Sequence, residues 1–216
     1  MRTVRWLSSV LALVALTPVV SAAQSNRLFE NAWFWGAKAG LMNFSTGNNN
    51  TTTAPLVGVE WLITRNKAGL YLSAEQAFFN TTGYVTDNAG QQYSIALKDS
   101  RRYTAALLGF PINWGTLRPY GGLGFSLNLI QHATIDQSQI TDPDQADVVA
   151  NAVHEERDRV AFILMGGLQA QYHRFSVFGQ ATYMPARANF FFSGRSTYIL
   201  EGGIRYNVGS SIDKTP

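Results

Sequence analysis

The residues of this chain that could take part in catalysis are three histidines and a long acidic segment. The most suggestive spacing is that of His132 and Thr134, which would share one face of an extended strand. A histidine can activate a hydroxyl as a nucleophile, and Asp136, Glu155 or Glu156 could orient it. His132 lies at the edge of a loop, however, so a solvated loop histidine is the simpler interpretation.

The remaining polar clusters form no recognised site. His154 precedes two glutamates but lacks a second histidine at helical spacing, so it is not a zinc motif. The sequence Asp142-Pro143-Asp144 is more typical of a helix start than of a calcium loop. The chain has no cysteine, which excludes disulfides, thiolate metal sites and a cysteine nucleophile. We therefore predict no catalytic residue, no metal site and no cofactor.

The composition combines few charges with many apolar residues. Charged residues are 14% of the chain, against about 25% in an ordinary soluble domain. Hydrophobic residues are 46%, yet the mean hydropathy is −0.06. A wall that alternates lipid-facing and interior residues gives such an average. Without Arg2 and Arg5, the chain has 15 basic and 14 acidic residues, so its charge does not indicate nucleic-acid binding.

Residues 1–23 have the pattern of a signal peptide. Arg2 and Arg5 precede an apolar run, Pro18 ends it, and small residues offer cleavage after Ala22 or Ala23. The run is shorter than the ~20 residues of a spanning helix, which disfavours a membrane anchor. We expect an exported chain with one domain, 24–208, and a polar tail, 209–216. An exported chain without a spanning helix can enter a bilayer only as a closed barrel.

Eight stretches of the mature chain have the length of a tilted membrane strand, ~9–11 residues or slightly more. The connections between them alternate long and short, as in outer-membrane barrels with long outer loops and short periplasmic turns. The prediction is an all-β fold, an eight-stranded antiparallel transmembrane β-barrel in up-and-down order. The predicted strands are Trp33–Phe44, Pro55–Arg65, Gly69–Asn80, Arg101–Asn113, Arg118–Gln131, Arg159–Tyr172, Phe175–Ala186 and Gly194–Val208.

Along several predicted strands, apolar residues alternate with polar or small ones, which indicates that the apolar side chains face lipid and the others face the barrel interior. In strand eight, Leu200 and Ile204 face outward, opposite Gly203 and Asn207. Strands five and six alternate in the same way. In strand four the outward residues are predicted to be Thr104, Ala106, Leu108, Phe110 and Ile112. Aromatic girdles are predicted from Trp33, Trp35, Trp61, Trp114, Tyr120, Tyr172, Tyr183, Tyr198 and Tyr206. A soluble lipocalin-like barrel or β-sandwich would reverse the two faces.

An eight-stranded barrel is just wide enough for its side chains to fill it. Charges inside would be costly unless they were paired. We therefore predict an interior salt-bridge and hydrogen-bond network. Its predicted members are Lys38, Glu60, Glu75, Glu201 and Arg205.

Two segments resemble a known family, the small outer-membrane barrels of the OmpA, OmpX and opacity-protein type. Residues 118–125, RPYGGLGF, are similar to a glycine-rich strand common in that family. Residues 201–208, EGGIRYNV, match the family's last strand, whose pattern the barrel-assembly machinery reads. The resemblance implies an assembly signal at Glu201, Gly203, Tyr206 and Val208, although Val208 stands where the family usually has an aromatic residue.

The first functional hypothesis is a non-enzymatic barrel in the outer membrane, in contact with its lipid and lipopolysaccharide. Its outer loops, around 81–100 and 132–158, would contact surface ligands. A second hypothesis is a lipid A-modifying enzyme that uses His132 and Thr134. Small barrels that resemble the lipid A deacylase place His and Ser two apart, and here Thr replaces Ser. A third hypothesis is a narrow channel or a carrier of small hydrophobic ligands.

Overall fold

Segments in which apolar and polar residues alternate, and which are rich in β-branched and aromatic residues, favour extended strands. The computed structural model describes residues 29–46, 51–86, 90–135, 147, 150–154, 157–186, 191–192 and 195–210. The predicted signal peptide, its cleavage site and the last six residues lie outside these ranges. The eight strands are β1 Ala32–Ser45, β2 Thr51–Arg65, β3 Ala68–Thr86, β4 Gln92–Gly109, β5 Leu117–Ile135, β6 Asp158–Tyr172, β7 Phe175–Met184 and β8 Thr197–Ser210.

Each strand pairs antiparallel with its neighbours in sequence, and β1 pairs with β8, so the barrel is closed. The predicted fold is therefore confirmed. Asn66 and His173 take positive φ angles of 54° in the two tightest turns. These turns and the connection from β4 to β5 lie at one end of the barrel, together with Ala32 and Ser210, which pair directly. The longer connections lie at the other end, which we call the outer end.

The strands are strongly staggered. Following the paired residues once around the barrel from Trp33 leads back to β1 at Asn43, ten residues further along. A stagger of this size requires strands tilted by about 40° from the barrel axis. Helical residues are few (147, 150–154 and 157), and no helix within the described ranges is long and apolar enough to cross a membrane.

The two faces of the wall have the predicted chemistry. In β5, β6 and β8 exposed and buried positions alternate as expected from the sequence. Large apolar side chains are exposed on all eight strands; examples are Trp35, Val59, Leu70, Leu107, Phe125, Leu164, Val177 and Leu200. Glutamate, lysine and arginine side chains are buried inside. This distribution is the reverse of that in a soluble barrel.

Two sequence predictions about facing were wrong. In β4, Thr104, Ala106 and Leu108 point inward, as does Phe110 directly after the strand, and the outward residues are Tyr103, Ala105 and Leu107. Leu108 and Phe110 join an apolar group at the end opposite the outer one, so both faces of β4 are apolar there and the alternation is lost. Tyr120 is also inside, only 5% exposed, where its hydroxyl donates to Gln180 Oε1 at 3.0 Å. It therefore cannot belong to an aromatic girdle.

The strands β3, β4 and β5 are longer than the others, with 19, 18 and 19 residues. Their outer parts, residues 80–86, 92–98 and 132–135, form what we call the outer sheet. Where the sheet begins, the pairing of β3 with β4 shifts register beside Asp99, which has a positive φ of 55°. β4 was predicted to start only at Arg101, whereas it begins nine residues earlier, at Gln92, and its first seven residues belong to the outer sheet.

The inner face of the outer sheet extends the buried apolar cluster of the barrel beyond the wall. Val85, Tyr93, Ile95 and Leu97 are each at most 1% exposed on its inner face. Phe191 from the connection between β7 and β8 and Val153 from the helical segment belong to the same buried cluster. Side chains also cap the strand edges here: Thr46 Oγ1 donates to the Thr82 carbonyl at 2.6 Å, and directly below the outer sheet Arg157 Nε donates to the Ile130 carbonyl at 2.7 Å. Capped edges hinder pairing with other chains.

Candidate functional site

The five residues predicted for the interior network come from four strands. Lys38 lies on β1, Glu60 on β2, Glu75 on β3, and Glu201 and Arg205 on β8. Each stands at an inward position of its strand, and none is more than 6% exposed. The stagger of the barrel brings these inward positions to similar heights along its axis, so the side chains meet although they are far apart in sequence.

A group of four charges occupies the part of the interior nearer the outer end. Lys38 Nζ forms ion pairs with Glu75 and, at 2.9 Å, with Glu201 Oε1. Arg102, which was not predicted, forms an ion pair with Glu75 and lies 3.7 Å from Glu201 Oε1. Ser73 Oγ donates to Glu75 Oε1 at 2.6 Å. Two cations therefore share two carboxylates.

A separate ion pair, between Arg205 and Glu60, lies nearer the other end. Arg205 Nε pairs with Glu60, and Arg205 Nη1 donates to Gln169 Oε1 at 2.6 Å. The guanidinium carbon lies 3.8 Å from the centroid of the Phe178 ring, in a cation–π contact. A Cβ atom at Gly203 would lie only 2.8 Å from this ring. Glycine at this position therefore gives Phe178 the room to lie beneath Arg205.

Tyr71 and Gln180 connect the two groups. The Tyr71 hydroxyl accepts from Lys38 Nζ at 2.7 Å and donates to Glu60 Oε2 at 3.1 Å. Gln180 Nε2 donates to the same hydroxyl at 3.2 Å and to Glu201 Oε2 at 2.8 Å. All the charges of the interior network are thus joined by direct contacts.

The interior network is electrically balanced, with the cations Lys38, Arg102 and Arg205 facing the anions Glu60, Glu75 and Glu201. Buried charges of this kind are tolerated when each has a partner of opposite sign. A neutral interior of this kind resembles a structural filling more than a binding site, because each charged side chain is already paired with one of opposite sign; Arg102 Nε and Arg205 Nη2 are buried without a hydrogen-bond partner.

Apolar groups fill the interior on both sides of this network. At the outer end, Phe44 packs against Phe79 and Phe192, with ring centroids 4.9 and 4.4 Å away. At the other end, Phe29 packs edge-on against Phe110 at 4.7 Å. The Arg118 guanidinium lies 4.5 Å from the Phe29 centroid. We call the outer group, with Met42, Leu56, Met184 and Ile199, the apolar cap.

The residues of the enzymatic hypothesis lie elsewhere, at the start of the outer sheet. His132 and Thr134 are both exposed and share a face, as expected from their spacing. His132 stands opposite Lys98 of β4 in the strand pairing. Asp136, Glu155 and Glu156 lie outside the described residues. Within the part of the chain that the structure describes, no three His, Asp or Glu side chains are grouped closely enough to hold a metal ion.

The residues of the predicted assembly signal alternate between the two faces of β8. Glu201 and Gly203 point inward, whereas Tyr206 and Val208 are 39% and 46% exposed on the outer surface. Their recognition during assembly stays a prediction.

The closed meander, apolar exterior and charged interior define a small eight-stranded barrel of the outer-membrane type. Three solved structures with this fold are similar to the chain. Neisserial surface protein A has 12% identity and a TM-score of 0.52, with 81% of this chain and 96% of that chain covered. Ail, the attachment invasion locus protein of Yersinia pestis, has 11% identity and a TM-score of 0.50, with 83% and 99% covered.

The outer membrane protein OprG from Pseudomonas aeruginosa has 13% identity and a TM-score of 0.50, with 85% of this chain and 99% of that chain covered. No protein-family model matches the chain, and no curated protein matches it. At these identities the likeness establishes the fold alone.

Proposed function

We propose that the chain is a non-enzymatic protein of the bacterial outer membrane, whose barrel anchors a folded surface structure outside the lipid. The observation that carries this proposal is the outer sheet. A strand of ~9–11 residues crosses the membrane, whereas β3, β4 and β5 have 18 or 19 residues. At ~3.3 Å per residue, their outer parts rise well above the lipid.

The outer sheet is suited to contact with other molecules because it is rigid. Its inner face belongs to the same buried cluster as Phe191 and Val153, Thr46 caps its edge on β3, and Arg157 caps β5 directly below it. A contact surface that is already ordered loses little conformational entropy on binding. We therefore propose that the outer sheet and the adjoining loops contact ligands, other proteins or surfaces outside the cell.

The interior disfavours the channel hypothesis. Phe44, Phe79 and Phe192 pack across the outer end, and the ion pairs of Lys38 and Arg205 occupy the middle. Eight-stranded barrels of this width are normally filled by their side chains. No observation specifically favours the lipid A-modifying enzyme. That hypothesis needs a carboxylate beside His132, whereas the residue opposite His132 in the strand pairing is Lys98.

The absence of cysteine allows a direct test of residence and orientation. Thr134→Cys introduces a thiol on the outer sheet, and Lys67→Cys introduces one in a tight turn at the opposite end; both positions are exposed. In intact cells, a membrane-impermeant maleimide should label Thr134→Cys but not Lys67→Cys, and both should react after lysis. Without boiling, both should migrate on a denaturing gel as compact barrels.

Labelling of both variants in intact cells, or of neither after lysis, would contradict the proposed orientation. Recovery of the chain from the soluble periplasm, with no change in mobility on boiling, would contradict outer-membrane residence.

A further inference from the structure

The lipid-facing surface of β2, β3 and β4 carries a depression near the outer end. Strand pairing sets Val57, Gln76 and Arg101 side by side, and Val59, Ala74 and Tyr103 in the row nearer the middle of the barrel. Ala74 is small and lies between two larger side chains, so the surface is hollow there. The resulting groove has a volume of about 370 Å³.

The groove is mainly apolar, and a cation stands at its outer end. Its walls are formed by Val57, Val59 and Tyr103, and Gly58 and Glu75 lie beneath it. The Glu75 carboxylate is turned into the barrel, where it pairs with Lys38 and Arg102. The groove therefore offers an apolar surface to a chain-like molecule, with the exposed Arg101 directly above it.

An arginine on the lipid-facing surface has an energetic cost unless it lies at headgroup level. Arginine on this face costs ~2–4 kcal/mol at the middle of a bilayer and ~0–1 near its boundary. Arg101 is followed, toward the outer end of β4, by the exposed Lys98 and Ala96 and the half-buried Ser94, of which none is a large apolar residue. On β4, Arg101 therefore marks the upper boundary of the lipid-facing band, while on β3 the exposed Phe78 lies two positions further out than Gln76, the residue paired with Arg101.

The Arg101 side chain belongs to a polar group at this boundary. Its Nε donates to Gln76 Oε1 at 3.3 Å, and the Gln131 amide, oriented so that both of its polar atoms are satisfied, accepts from Arg101 Nε at 2.8 Å and from Arg101 Nη2 at 3.2 Å. These bonds use two of the five guanidinium N–H groups, and a guanidinium binds phosphate well through two parallel hydrogen bonds. Lys98 and Arg157 are exposed close by, and Arg157 Nη2 donates to the Gln131 carbonyl at 3.3 Å.

Two carboxylates also lie near this boundary. Asp99 accepts a hydrogen bond from the Phe79 amide at 3.1 Å, which fixes it at the register shift. Asp158 is exposed on β6 opposite Leu129, and Leu129 stands between it and Arg101 in the strand pairing. Among the residues that the structure describes at this boundary, the cations Arg101, Lys98 and Arg157 outnumber these two carboxylates, which favours an anionic ligand.

We propose that this surface binds the lipid A part of lipopolysaccharide, with a phosphate on Arg101 and an acyl chain in the groove beside Ala74. The inference rests on the proposed outer-membrane residence, because only then does Arg101 face the outer leaflet. Lipid A combines what the surface requires, namely phosphates at headgroup height and acyl chains directly below them. Several cations near the same boundary suit a ligand that carries more than one phosphate.

The test uses the refolded mature chain in detergent micelles with a fluorescent lipid A that carries two phosphates. Energy transfer from the tryptophans reports binding. Arg101→Gln should raise the half-saturating concentration about tenfold, as expected for loss of a charged hydrogen bond. Arg65→Gln is the matched control, because Arg65 is an exposed arginine at the opposite end of the barrel, and it should bind like the wild type. Ala74→Phe fills the groove and should also weaken binding.

Unlabelled competitors identify the source of the phosphate. Lipid A with two phosphates should displace the probe at lower concentration than dephosphorylated lipid A or phosphatidylglycerol. Equal competition by either would overturn the proposal, as would equal binding by Arg101→Gln and Arg65→Gln. The gel-mobility assay is run on every sample. A wild-type barrel that shifts on boiling but does not bind refutes the lipid A site alone, whereas a wild type with no shift refutes the proposed function.

Discussion

The interior of this barrel is filled in two different ways along its axis. In the middle, Lys38, Arg102 and Arg205 are bonded to three glutamates through contacts that also include Tyr71 and Gln180. At the outer end, the apolar cap and the outer sheet bury aromatic and aliphatic side chains instead. Both regions are buried within one closed sheet. The stability of the middle depends on specific bonding partners, whereas the stability of the outer end depends on filled volume.

The difference teaches how each region responds to change. A buried polar network is stable only if every member keeps its partner, since a charge left alone in a low-dielectric interior is costly. Apolar packing tolerates exchange among residues of similar volume. We therefore expect the middle of the barrel to be sensitive to the chemical nature of a substitution and the outer end to be sensitive to its size.

The largest effect is expected for Arg205→Met, which leaves the Glu60 carboxylate without its cation. Breaking one side of a buried ion pair typically costs ~3–5 kcal/mol. The free energy of unfolding should fall by about that amount, measured by urea unfolding in lipid vesicles with tryptophan fluorescence.

The double variant Glu60→Leu/Arg205→Met separates the loss of a pair from the loss of a partner. It removes both charges and should recover most of the stability lost in the single variant, because an apolar pair often replaces a buried ion pair without net cost. If the double variant is as unstable as Arg205→Met alone, the isolated carboxylate is not the cause.

A somewhat smaller effect is expected in the apolar cap. Phe44→Ala should lower the free energy of unfolding by about 3 kcal/mol, because it removes the ring that packs between Phe79 and Phe192 and leaves a cavity. Phe44→Leu keeps most of the volume and should cost only about 1 kcal/mol. The same vesicle assay measures both. Equal losses in the free energy of unfolding for the two variants would contradict the view that the stability of this region depends on filled volume.

A smaller effect than that of Phe44→Ala is expected from the loss of a single oxygen atom in the interior network. Tyr71→Phe removes the hydroxyl that joins Lys38, Glu60 and Gln180, and hydrogen bonds to charged groups contribute ~1.5–3 kcal/mol. The expected loss in the free energy of unfolding is about 2 kcal/mol. Tyr172→Phe, at a residue that is 63% exposed, is the control and should change little. A loss of similar size in both would remove the distinction between the two tyrosines.

Much of the barrel could be predicted from the sequence because its wall obeys a simple rule. Apolar and polar residues alternate cleanly in β8, where Leu200 and Ile204 face out and Glu201 and Arg205 face in. The charges at Lys38, Glu60 and Glu75 stood out because they interrupt strands that are otherwise apolar or small. Their positions on neighbouring strands then indicated an interior network before their partners were known.

The parts that could not be predicted lie where the alternation carries no signal. Arg101 and Arg102 are adjacent, and only the pairing of β4 with β3 decides that Arg102 points inward while Arg101 faces the lipid. Tyr120 looks like a girdle residue in sequence, yet its hydroxyl has a partner inside. The length of β4 was also underestimated, because its first residues have too few large apolar side chains to resemble a membrane strand.

The register shift beside Asp99 has a consequence for how the molecule can vary. Below it, Ser100 and Arg102 face the interior, whereas beyond it Leu97 and Ile95 do, so the parity of inward positions changes. β5 changes in the same way between Ile130 and Ala133. The outer sheet is thus a separate module. Where it joins the wall, the inward side chains of β4 and β5 change from even-numbered to odd-numbered positions. Insertions or replaced hairpins beyond that point leave the membrane part in phase, which makes it a natural place for sequence diversification or for display of a foreign peptide.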